Sequence, residues 1–289
     1  NAVEVGLVDE LNKSGILAVG PTRKAGQIEW DKAWARDFMR KYQIPHPEYH
    51  IFSSEKAGIE FVKSKPNKQW FVKASGLAEG KGALPASDTL EAISAIREMK
   101  KFGKSGETYL LEEWLIGEEF SAIAFCDGND FAVIGYAQDH KRVYDGDKGP
   151  NTGGMGCVSN PLIVDGKIKK QVEKIFKQSV IGLKNEGLIY KGVLFLGGIV
   201  IKQKVSAIEF NARWGDPEAE VILPGLVGDL FEISQKVIAG EMSKVSFKMD
   251  GKARVVIAGA ARGYPGNYDF VKGKRIDGLT QSIDIVPTI

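Results

Sequence analysis

Residues 208–218 carry the sequence Ile-Glu-Phe-Asn-Ala-Arg-Trp-Gly-Asp-Pro-Glu, which is the most informative stretch of the chain. Successive side chains of a β-strand point to opposite faces of the sheet. A strand here would carry Glu209 and Asn211 on one face. Ile208 and Phe210 would lie on the other face. Two oxygen donors on one face suit Mg²⁺, which takes few protein ligands and leaves its other positions to substrate phosphates and water.

Arg213 follows in the same register and can hold a phosphate through two parallel hydrogen bonds. A half-exposed edge strand with outward polar residues would explain the alternation equally well. It would not explain why an arginine, an aspartate and a glutamate follow at once around Gly-Asp-Pro at 215–217. We therefore interpret the stretch as a strand end that binds a metal and a phosphate.

A glycine-rich stretch at residues 147–156 reads Asp-Lys-Gly-Pro-Asn-Thr-Gly-Gly-Met-Gly, with four glycines among its last eight residues. Such a backbone path is poor in side chains and costs conformational entropy to fix. We therefore favour contact with a substrate over a purely structural role for this stretch.

A second glycine-rich stretch at residues 73–82 reads Lys-Ala-Ser-Gly-Leu-Ala-Glu-Gly-Lys-Gly. Glycines permit close backbone approach, so successive N–H groups can converge on phosphate oxygens while the two lysines supply positive charge. The stretch is not the phosphate-binding loop that ends in Lys-Ser or Lys-Thr at a helix start. Taken alone, a glycine-rich hairpin turn explains it equally well.

Residues 112–119 place four glutamates around an apolar strand end. A nucleotide site needs an apolar slot for the base and an acceptor for the ribose hydroxyls, and this segment offers both. Taken alone, a solvated acidic turn is the preferred interpretation.

The composition is that of an ordinary globular protein, and the length of 289 residues predicts two compact units. A net charge of +2 does not indicate a protein that binds nucleic acid. The sequence has no apolar run long enough to predict a membrane span, and its first residues lack a secretory-signal pattern. Cys126 and Cys157 suit neither a disulfide framework nor a zinc site, which predicts buried thiols and a cytoplasmic location. Covalent hydrolase chemistry is not supported, because no serine or cysteine is paired with a base.

Apolar periodicity predicts an α/β chain in which most strands are antiparallel. Asp88 is the predicted N-cap of a helix whose apolar stripe begins at Leu90. Trp34, Phe38 and Tyr42 are predicted to share one face of a helix. The other predicted elements are helices at 4–13, 31–42, 167–185 and 224–239, and strands at 15–19, 70–74, 108–114, 119–126, 131–136, 192–201, 205–211 and 254–260.

Three motifs considered together carry a family resemblance. They are Gln-Asp-His-Lys-Arg at 138–142, Gly-Pro-Asn-Thr-Gly-Gly-Met-Gly at 149–156, and the strand end from Glu209 to Glu218. With the loop at 73–82, which is shared in kind with other ATP-grasp ligases, they resemble the phosphoribosylamine–glycine ligase family, also called glycinamide ribonucleotide synthetases. The resemblance runs from residue 1 to about Tyr268. It implies an ATP-grasp fold of class α/β (α+β), in which two subdomains with mostly antiparallel sheets clamp ATP.

The resemblance also implies the reaction. The family joins glycine to 5-phosphoribosylamine in de novo purine biosynthesis and converts ATP to ADP and phosphate through a glycyl phosphate. ATP and Mg²⁺ or Mn²⁺ are the expected cofactors, and neither nucleic acid nor a membrane is an expected partner. Another ATP-grasp ligase or carboxylase with a different acceptor, and a nucleotide-binding module without turnover, are the alternatives.

Each expected site residue is carried over from the same resemblance. The expected ATP-binding residues are Lys32, Lys73, Gly76, Gly80, Lys81, Gly82, Glu112, Glu113, Leu115 and Glu119, the last four at the adenine and ribose. The expected metal ligands are Glu209 and Asn211. The expected substrate-binding residues are Asn151, Thr152, Gly153, Gly154, Arg213 and Asp216, and the expected catalytic residues are Arg213, Asp216 and Lys148.

The sequence departs from the family's usual pattern at two positions, and the resemblance also implies a domain division. Ser75 stands where the family commonly has aspartate, and Trp214 stands where it usually has phenylalanine or leucine.

The family's N-terminal domain is absent before Asn1, so we expect a fragment that begins inside one domain and ends inside another. The expected division is a remnant of the N-terminal domain at 1–22, an ATP-grasp domain at 23–245 with a lid-like subdomain at about 47–115, and the beginning of a C-terminal domain at 246–289.

Overall fold

Two antiparallel sheets organise the computed structural model, which describes residues 1–78 and 81–278. The helices are α1 (Leu7–Lys13), α2 (Gln27–Trp30), α3 (Lys32–Lys41), α4 (Glu55–Lys63), α5 (Thr89–Glu98), α6 (Gly166–Asn185), α7 (Glu218–Ile222) and α8 (Leu230–Ala239). The strands are β1 (Tyr49–Phe52), β2 (Trp70–Ala74), β3 (Ala83–Ala86), β4 (Tyr109–Glu113), β5 (Glu118–Asp127), β6 (Phe131–Asp139), β7 (Arg142–Tyr144), β8 (Lys148–Asn151), β9 (Gly156–Ser159), β10 (Lys191–Ile201), β11 (Lys204–Asn211), β12 (Leu226–Val227), β13 (Lys248–Met249) and β14 (Val255–Ile257).

The small sheet has the strand order β1-β4-β2-β3, and every pair in it is antiparallel. Alternating residues of β2, including Trp70 and Val72, form its core with Val62 of α4 and Ile96 of α5. The two helices therefore cover one face of this sheet. Burying a side chain of this size stabilises the fold by about 1.5–3 kcal/mol.

The large sheet has the order β11-β10-β5-β6-β9-β14 and is also antiparallel throughout. Its strand β5 is buried on both faces. Ala122 and Ala124 belong to a core shared with α3 and α6, whereas Ile123 and Phe125 belong to a second core shared with α7 and α8. The sheet is thus a rigid, doubly covered layer, and functional groups are restricted to its strand ends and bulges.

Several predicted elements are confirmed. Helix α3 has Asp31 as its N-cap, which accepts a hydrogen bond from the Trp34 amide at 3.1 Å. Trp34 stacks on Phe38 with ring centroids 5.1 Å apart, and Phe38 lies 4.9 Å from Tyr42, as their spacing predicts. Helix α6 and the β10–β11 hairpin lie within one residue of their predicted ranges.

Three local predictions are wrong. Residues 15–19 form no strand. The helix predicted from Pro224 begins only at Leu230, because Asp229 caps it and Pro224 lies in a separate 3-10 turn. Asp88 caps α5 as predicted, but the Leu90 side chain is 77% exposed and lies outside the buried stripe. Among the described residues, no helix combines the length and the apolar character needed to cross a bilayer.

Candidate active site

A β-bulge at Ile208 lies next to the predicted metal-binding residues. The β10–β11 pairing runs from Gly197 with Glu209 to Gly198 with Ala207, so Ile208 is the extra residue. A bulge interrupts the alternation of side chains along a strand. Ala207 therefore packs in the core, while Ile208 and Glu209 both line the cleft. The prediction that Ile208 lies opposite to Glu209 is wrong for this reason.

The cleft lies at the end of the large sheet where β5, β6, β10 and β11 run side by side. It is lined by both charged and small residues, and Gly198 of β10 packs so closely against the Phe120 ring that an added Cβ would lie 2.6 Å from it. Its lining consists of Glu119, Phe120, Ser121, Asp139, Lys141, Phe195, Gly197, Gly198, Ile208 and Glu209.

Three lysines act on Glu209. Burial alone would raise the pKa of this carboxyl, but the ammonium groups of Lys32, Lys141 and Lys73 outweigh burial and hold the pKa below its ordinary value. A hydrogen bond from Asn211 lowers the pKa of Glu209 further. The structure therefore brings both predicted metal ligands together with both predicted phosphate-binding lysines.

Lys32 lies at the first turn of α3, where it is half-buried. Burial lowers its pKa, the nearby charge of Lys73 lowers it further, and Glu209 only partly restores it. Two ammonium groups this close repel each other. An anion between them would relieve that repulsion, which is the arrangement expected of a phosphate site.

Glu112 is buried in β4 and pairs with two cations. Lys73 Nζ lies 2.7 Å from Glu112 Oε2, and Arg36 Nε lies 2.7 Å from Glu112 Oε1. Burial would raise the pKa of Glu112, but Arg36 and Lys73 lower it to about 2. Glu112, which is expected at the adenine, has its side chain engaged with these two cations. The sequence motifs did not indicate Arg36, because its partner lies 76 residues away in the chain.

Ser75 joins the end of β2 to the beginning of α3. Its hydroxyl donates to Asp31 Oδ1 at 2.9 Å and accepts the Ala33 amide at 3.0 Å, while its carbonyl accepts the Lys32 amide at 2.9 Å. Ser75 therefore performs a definite structural task at this position.

Two glycines of the predicted phosphate loop, Gly76 and Gly82, are closely packed. The Gly76 amide donates to the Ser105 carbonyl at 3.0 Å, and a Cβ on Gly76 would lie 2.7 Å from the Ser105 Cα. A Cβ on Gly82 would lie 2.5 Å from the Ala78 Cβ. Lys81 is exposed, and Gly80 lies outside the described residues.

The predicted adenine and ribose residues lie along the segment between the two sheets. Glu113 ends β4, and its amide donates to the Glu48 carbonyl at 2.9 Å. Leu115 is half-buried. Glu119 is exposed at the cleft rim, with an oxygen 3.7 Å from Lys141 Nζ.

The glycine-rich stretch begins at strand β8, which pairs with β7. The first and last residues of β8, Lys148 and Asn151, are exposed. Thr152 shapes the remainder, because its hydroxyl donates to the Lys141 carbonyl at 2.9 Å and accepts the Gly154 amide at 3.0 Å. The Gly153 amide donates to the Tyr264 hydroxyl at 3.3 Å. The loop is thus held by specific hydrogen bonds on both sides.

Arg213 and Asp216 lie beyond the end of β11, so Arg213 does not continue the strand register. Both side chains are exposed. Arg213 Nε lies 3.3 Å from Glu29 Oε1, and Glu29 also accepts the Ala212 amide at 2.9 Å. Glu29 is buried and gave no recognisable signal in the sequence, although it fixes the segment that leads from the end of β11.

Asp139 is a further carboxyl of the cleft; it belongs to the motif at 138–142, but the sequence analysis assigned it no role. Burial and the charge of Glu218 raise its pKa to about 7, while Lys141 opposes the change. Its Oδ1 atom is buried and has no hydrogen-bond partner among the described residues. Glu218 is itself buried and accepts a hydrogen bond from the Ser121 hydroxyl at 2.7 Å.

Asp139→Asn is expected to stabilise the protein at alkaline pH. A folded-state pKa of about 7 against an ordinary 3.8 means that the folded state favours the protonated form. Stability is therefore lost as the pH rises from about 4 through 7, because the unfolded chain releases its proton first. We expect asparagine to gain about 1 kcal/mol, roughly 2–4 °C in Tm, near pH 8. Thermal unfolding measured across pH checks this: the gain must shrink towards pH 4, and a gain independent of pH would contradict the assignment.

The donor set at Glu209 and Asn211 fits a hard divalent cation. A carboxylate and an amide are oxygen ligands of the kind that Mg²⁺ prefers. The described residues contain no group of three histidine, cysteine or acidic side chains arranged for a metal. A two-ligand protein site agrees with a Mg²⁺ ion whose other positions are filled by substrate phosphates and water.

Comparison with known proteins identifies the family. Residues 30–219 match the family model described as phosphoribosylglycinamide synthetase, ATP-grasp (A) domain. The chain is 40% identical over 283 residues to a phosphoribosylamine–glycine ligase of Caldanaerobacter subterraneus subsp. tengcongensis, across 96% of this chain and 66% of that protein. It is 41% identical over 285 residues to the trifunctional purine biosynthetic protein adenosine-3 of Gallus gallus, across 97% of this chain and 28% of that protein.

A solved structure agrees with the sequence comparison. The crystal structure of phosphoribosylamine–glycine ligase from Thermotoga maritima has a TM-score of 0.76 and 31% identity to this chain, covering 86% of this chain and 63% of that one. The chain therefore spans slightly less than two thirds of the single-enzyme relatives. The expected ATP-grasp fold is confirmed. This chain belongs to the phosphoribosylglycinamide synthetase family and contains its ATP-grasp domain.

Proposed function

We propose that this chain carries the ATP-dependent ligase activity that joins glycine to 5-phosphoribosylamine. The products are glycinamide ribonucleotide, ADP and phosphate, in de novo purine biosynthesis. The observation that carries the proposal is that the charges of Lys32, Lys73 and Lys141 all act on Glu209, a carboxylate that lines the cleft of an ATP-grasp domain. The relatives' name, phosphoribosylamine–glycine ligase, specifies the substrates.

ATP is proposed to bind where the small sheet faces the large one. Lys32 and Lys73 contact its phosphates, and the loop from Gly76 to Gly82, with Lys81, covers them. The half-buried Leu115 offers an apolar surface to the adenine, with Glu112 and Glu113 beside it. Glu119 accepts hydrogen bonds from the ribose. The repulsion between the two lysines supports this assignment, because phosphate oxygens would neutralise both charges.

Glu209 and Asn211 are the residues proposed to hold Mg²⁺ or Mn²⁺. The cation, when bound, supplies positive charge that offsets the charge of the triphosphate. The lowered pKa of Glu209 keeps this carboxyl ionised and ready to bind a cation at neutral pH. The remaining work of the chain is to bind and orient substrates and to neutralise developing charge.

The proposed chemistry has two transfers. A carboxylate oxygen of glycine attacks the γ-phosphorus of ATP, ADP leaves, and a glycyl phosphate forms. The amine of phosphoribosylamine then attacks the glycyl carbonyl carbon, phosphate leaves with the transferred oxygen, and the nitrogen loses a proton. Arg213, Asp216 and Lys148 are proposed to act on these substrates, together with the hydrogen-bonded loop Asn151, Thr152, Gly153 and Gly154. The exposure of Lys148, Asn151, Arg213 and Asp216 supports a role in contacting small molecules.

We also propose the expected domain division, with a separate segment at 1–22, the ATP-grasp domain at 23–245 and a further unit from 246. The small sheet lies within the expected lid-like segment at about 47–115. Cys126 and Cys157 are both buried free thiols, which supports a reducing, cytoplasmic setting.

ADP release tests the proposal. It is measured with Mg²⁺ and ATP while glycine and phosphoribosylamine are each added or withheld, on this chain and on the complete product of its gene. We expect release only when both substrates are present. Binding of ATP without release under every combination would instead indicate a binding module, and release with another amine or acid would indicate a different ATP-grasp ligase.

A further inference from the structure

Arg36, Lys73 and Glu112 form a buried charge cluster between helix α3 and the small sheet. Their side chains are 3%, 10% and 2% exposed, respectively. The guanidinium binds both carboxylate oxygens, with Nε 2.7 Å from Oε1 and Nη2 2.9 Å from Oε2. Lys73 Nζ contacts the same Oε2 at 2.7 Å. The carboxylate thus has two cationic partners, and the cluster carries one surplus positive charge.

The guanidinium of Arg36 also reaches the large sheet. Its Nη1 donates to the Ala207 carbonyl at 3.4 Å and contacts the Met39 sulfur at 3.0 Å, and its Nη2 donates to the Ile208 carbonyl. With the two bonds to Glu112, every one of its five N–H groups has an acceptor. Ala207 and Ile208 belong to the bulge that directs Glu209 into the cleft. One side chain therefore connects the strand of Glu112 to the strand of Glu209.

The pairing matters because Lys73 is required to bind two different anionic groups. In the structure its ammonium is bound to Glu112, whereas the proposed function requires it at the phosphates of ATP. A buried carboxylate that loses its sole cation costs several kcal/mol. Because Arg36 stays bound to both carboxylate oxygens, Glu112 remains neutralised when Lys73 turns away.

We propose that Arg36 is a positioning residue that holds Glu112 neutralised, so that Lys73 is free to exchange this carboxylate for the phosphates of a nucleoside triphosphate. The inference rests on the proposed function, because it takes Lys73 as a phosphate contact. It adds a division of labour between the two cations: Arg36 is the permanent partner of Glu112, and Lys73 is the exchangeable one.

A pair of variants tests this division. In Arg36→Met, Glu112 retains only Lys73, and the affinity for Mg²⁺ with a non-hydrolysable ATP analogue is expected to fall roughly tenfold or more. In the double variant Arg36→Met/Glu112→Gln the carboxylate charge is gone, so Lys73 is released and most of the affinity returns. A merely structural role predicts no such return, because the double variant still lacks the bonds to Ala207 and Ile208.

Two further variants keep the test decisive if Arg36→Met folds poorly. Arg36→Lys keeps a cation beside Glu112 but loses the two-point contact, and we expect it to bind the analogue more tightly than Arg36→Met, since one neutralising charge is preserved. Arg40→Met is the matched control, because Arg40 lies on the same helix but pairs with Asp37 at the surface. It is expected to leave the affinity unchanged.

The outcomes separate the two proposals. Titration calorimetry with the analogue, alongside thermal unfolding of each variant, gives the affinities and the folded state. Normal binding by the unaltered protein, with equal losses in Arg36→Met and in the double variant, would overturn the role of Arg36 and leave the proposed function standing. Failure of the unaltered protein to bind the analogue would overturn both.

Discussion

Replacing Glu209 by glutamine is expected to lower the rate of substrate-dependent ADP release by about 10²–10³-fold, the range seen when one preorganised electrostatic contact is removed from an active site. The carboxylate lies among Lys32, Lys73 and Lys141, whose charges keep it ionised. Glutamine keeps the shape of the side chain but removes the charge that would hold a divalent cation. The measurement is steady-state ADP release at increasing Mg²⁺ concentration.

The control separates loss of function from loss of fold. Glu220 is an exposed glutamate on α7, and Glu220→Gln is expected to change neither ADP release nor Tm. Glu209→Gln should remain folded, since Asn211 and the bulge are untouched. Unchanged activity in a folded Glu209→Gln protein would show that Glu209 and Asn211 are polar residues of a strand with no role in the reaction.

Replacing Gly154 by alanine is the second large effect that we expect. Gly154 has φ +139°, a conformation that side chains rarely adopt, and a Cβ there would lie 2.6 Å from Pro217 Cδ and 2.8 Å from Asp139 Oδ1. Backbone strain and the two clashes together should cost about 2 kcal/mol of stability. The loop would also move away from the cleft, and ADP release should fall at least tenfold, since such displacement weakens substrate positioning.

The neighbouring glycine provides the matched control for stability. A Cβ on Gly153 would meet only the Tyr264 hydroxyl, at 3.8 Å, and its backbone is not in the strained region. Thermal unfolding should therefore show a lower Tm for Gly154→Ala and an essentially unchanged Tm for Gly153→Ala. Equal Tm values for the two variants would contradict the close contact of Gly154 with Asp139 and Pro217.

Much of the fold could be predicted because its signals are local. The Asp88 and Asp31 caps lie next to the helices they begin, and the β10–β11 hairpin turns over the few residues around Gln203. The helix at 230–239 was predicted too early because Pro224 suits a helix start as well as a 3-10 turn. The later cap, Asp229, was the stronger signal.

The site could be predicted only in part, because its charged residues are far apart in the sequence and come together only in the folded chain. Glu209 and Asn211 are recognisable from two-residue spacing, the glycine-rich stretch indicated Lys73, and the family resemblance supplied Lys32. Arg36 and Glu29 could not be found, since their partners lie 76 and 183 residues away. The bulge at Ile208 was also hidden, because it depends on the register against Gly197 and Gly198 rather than on any residue type.

In the proposed reaction, this chain activates the carboxyl group of glycine with ATP and transfers the glycyl group to phosphoribosylamine. The most direct measurement uses glycine labelled with oxygen-18 in its carboxyl group, with mass analysis of the phosphate and of the nucleotide product. We predict glycinamide ribonucleotide as the product and one labelled oxygen in each phosphate released, since the carboxyl oxygen that attacks ATP leaves with phosphate. Unlabelled phosphate, or ADP release without this product, would contradict the account.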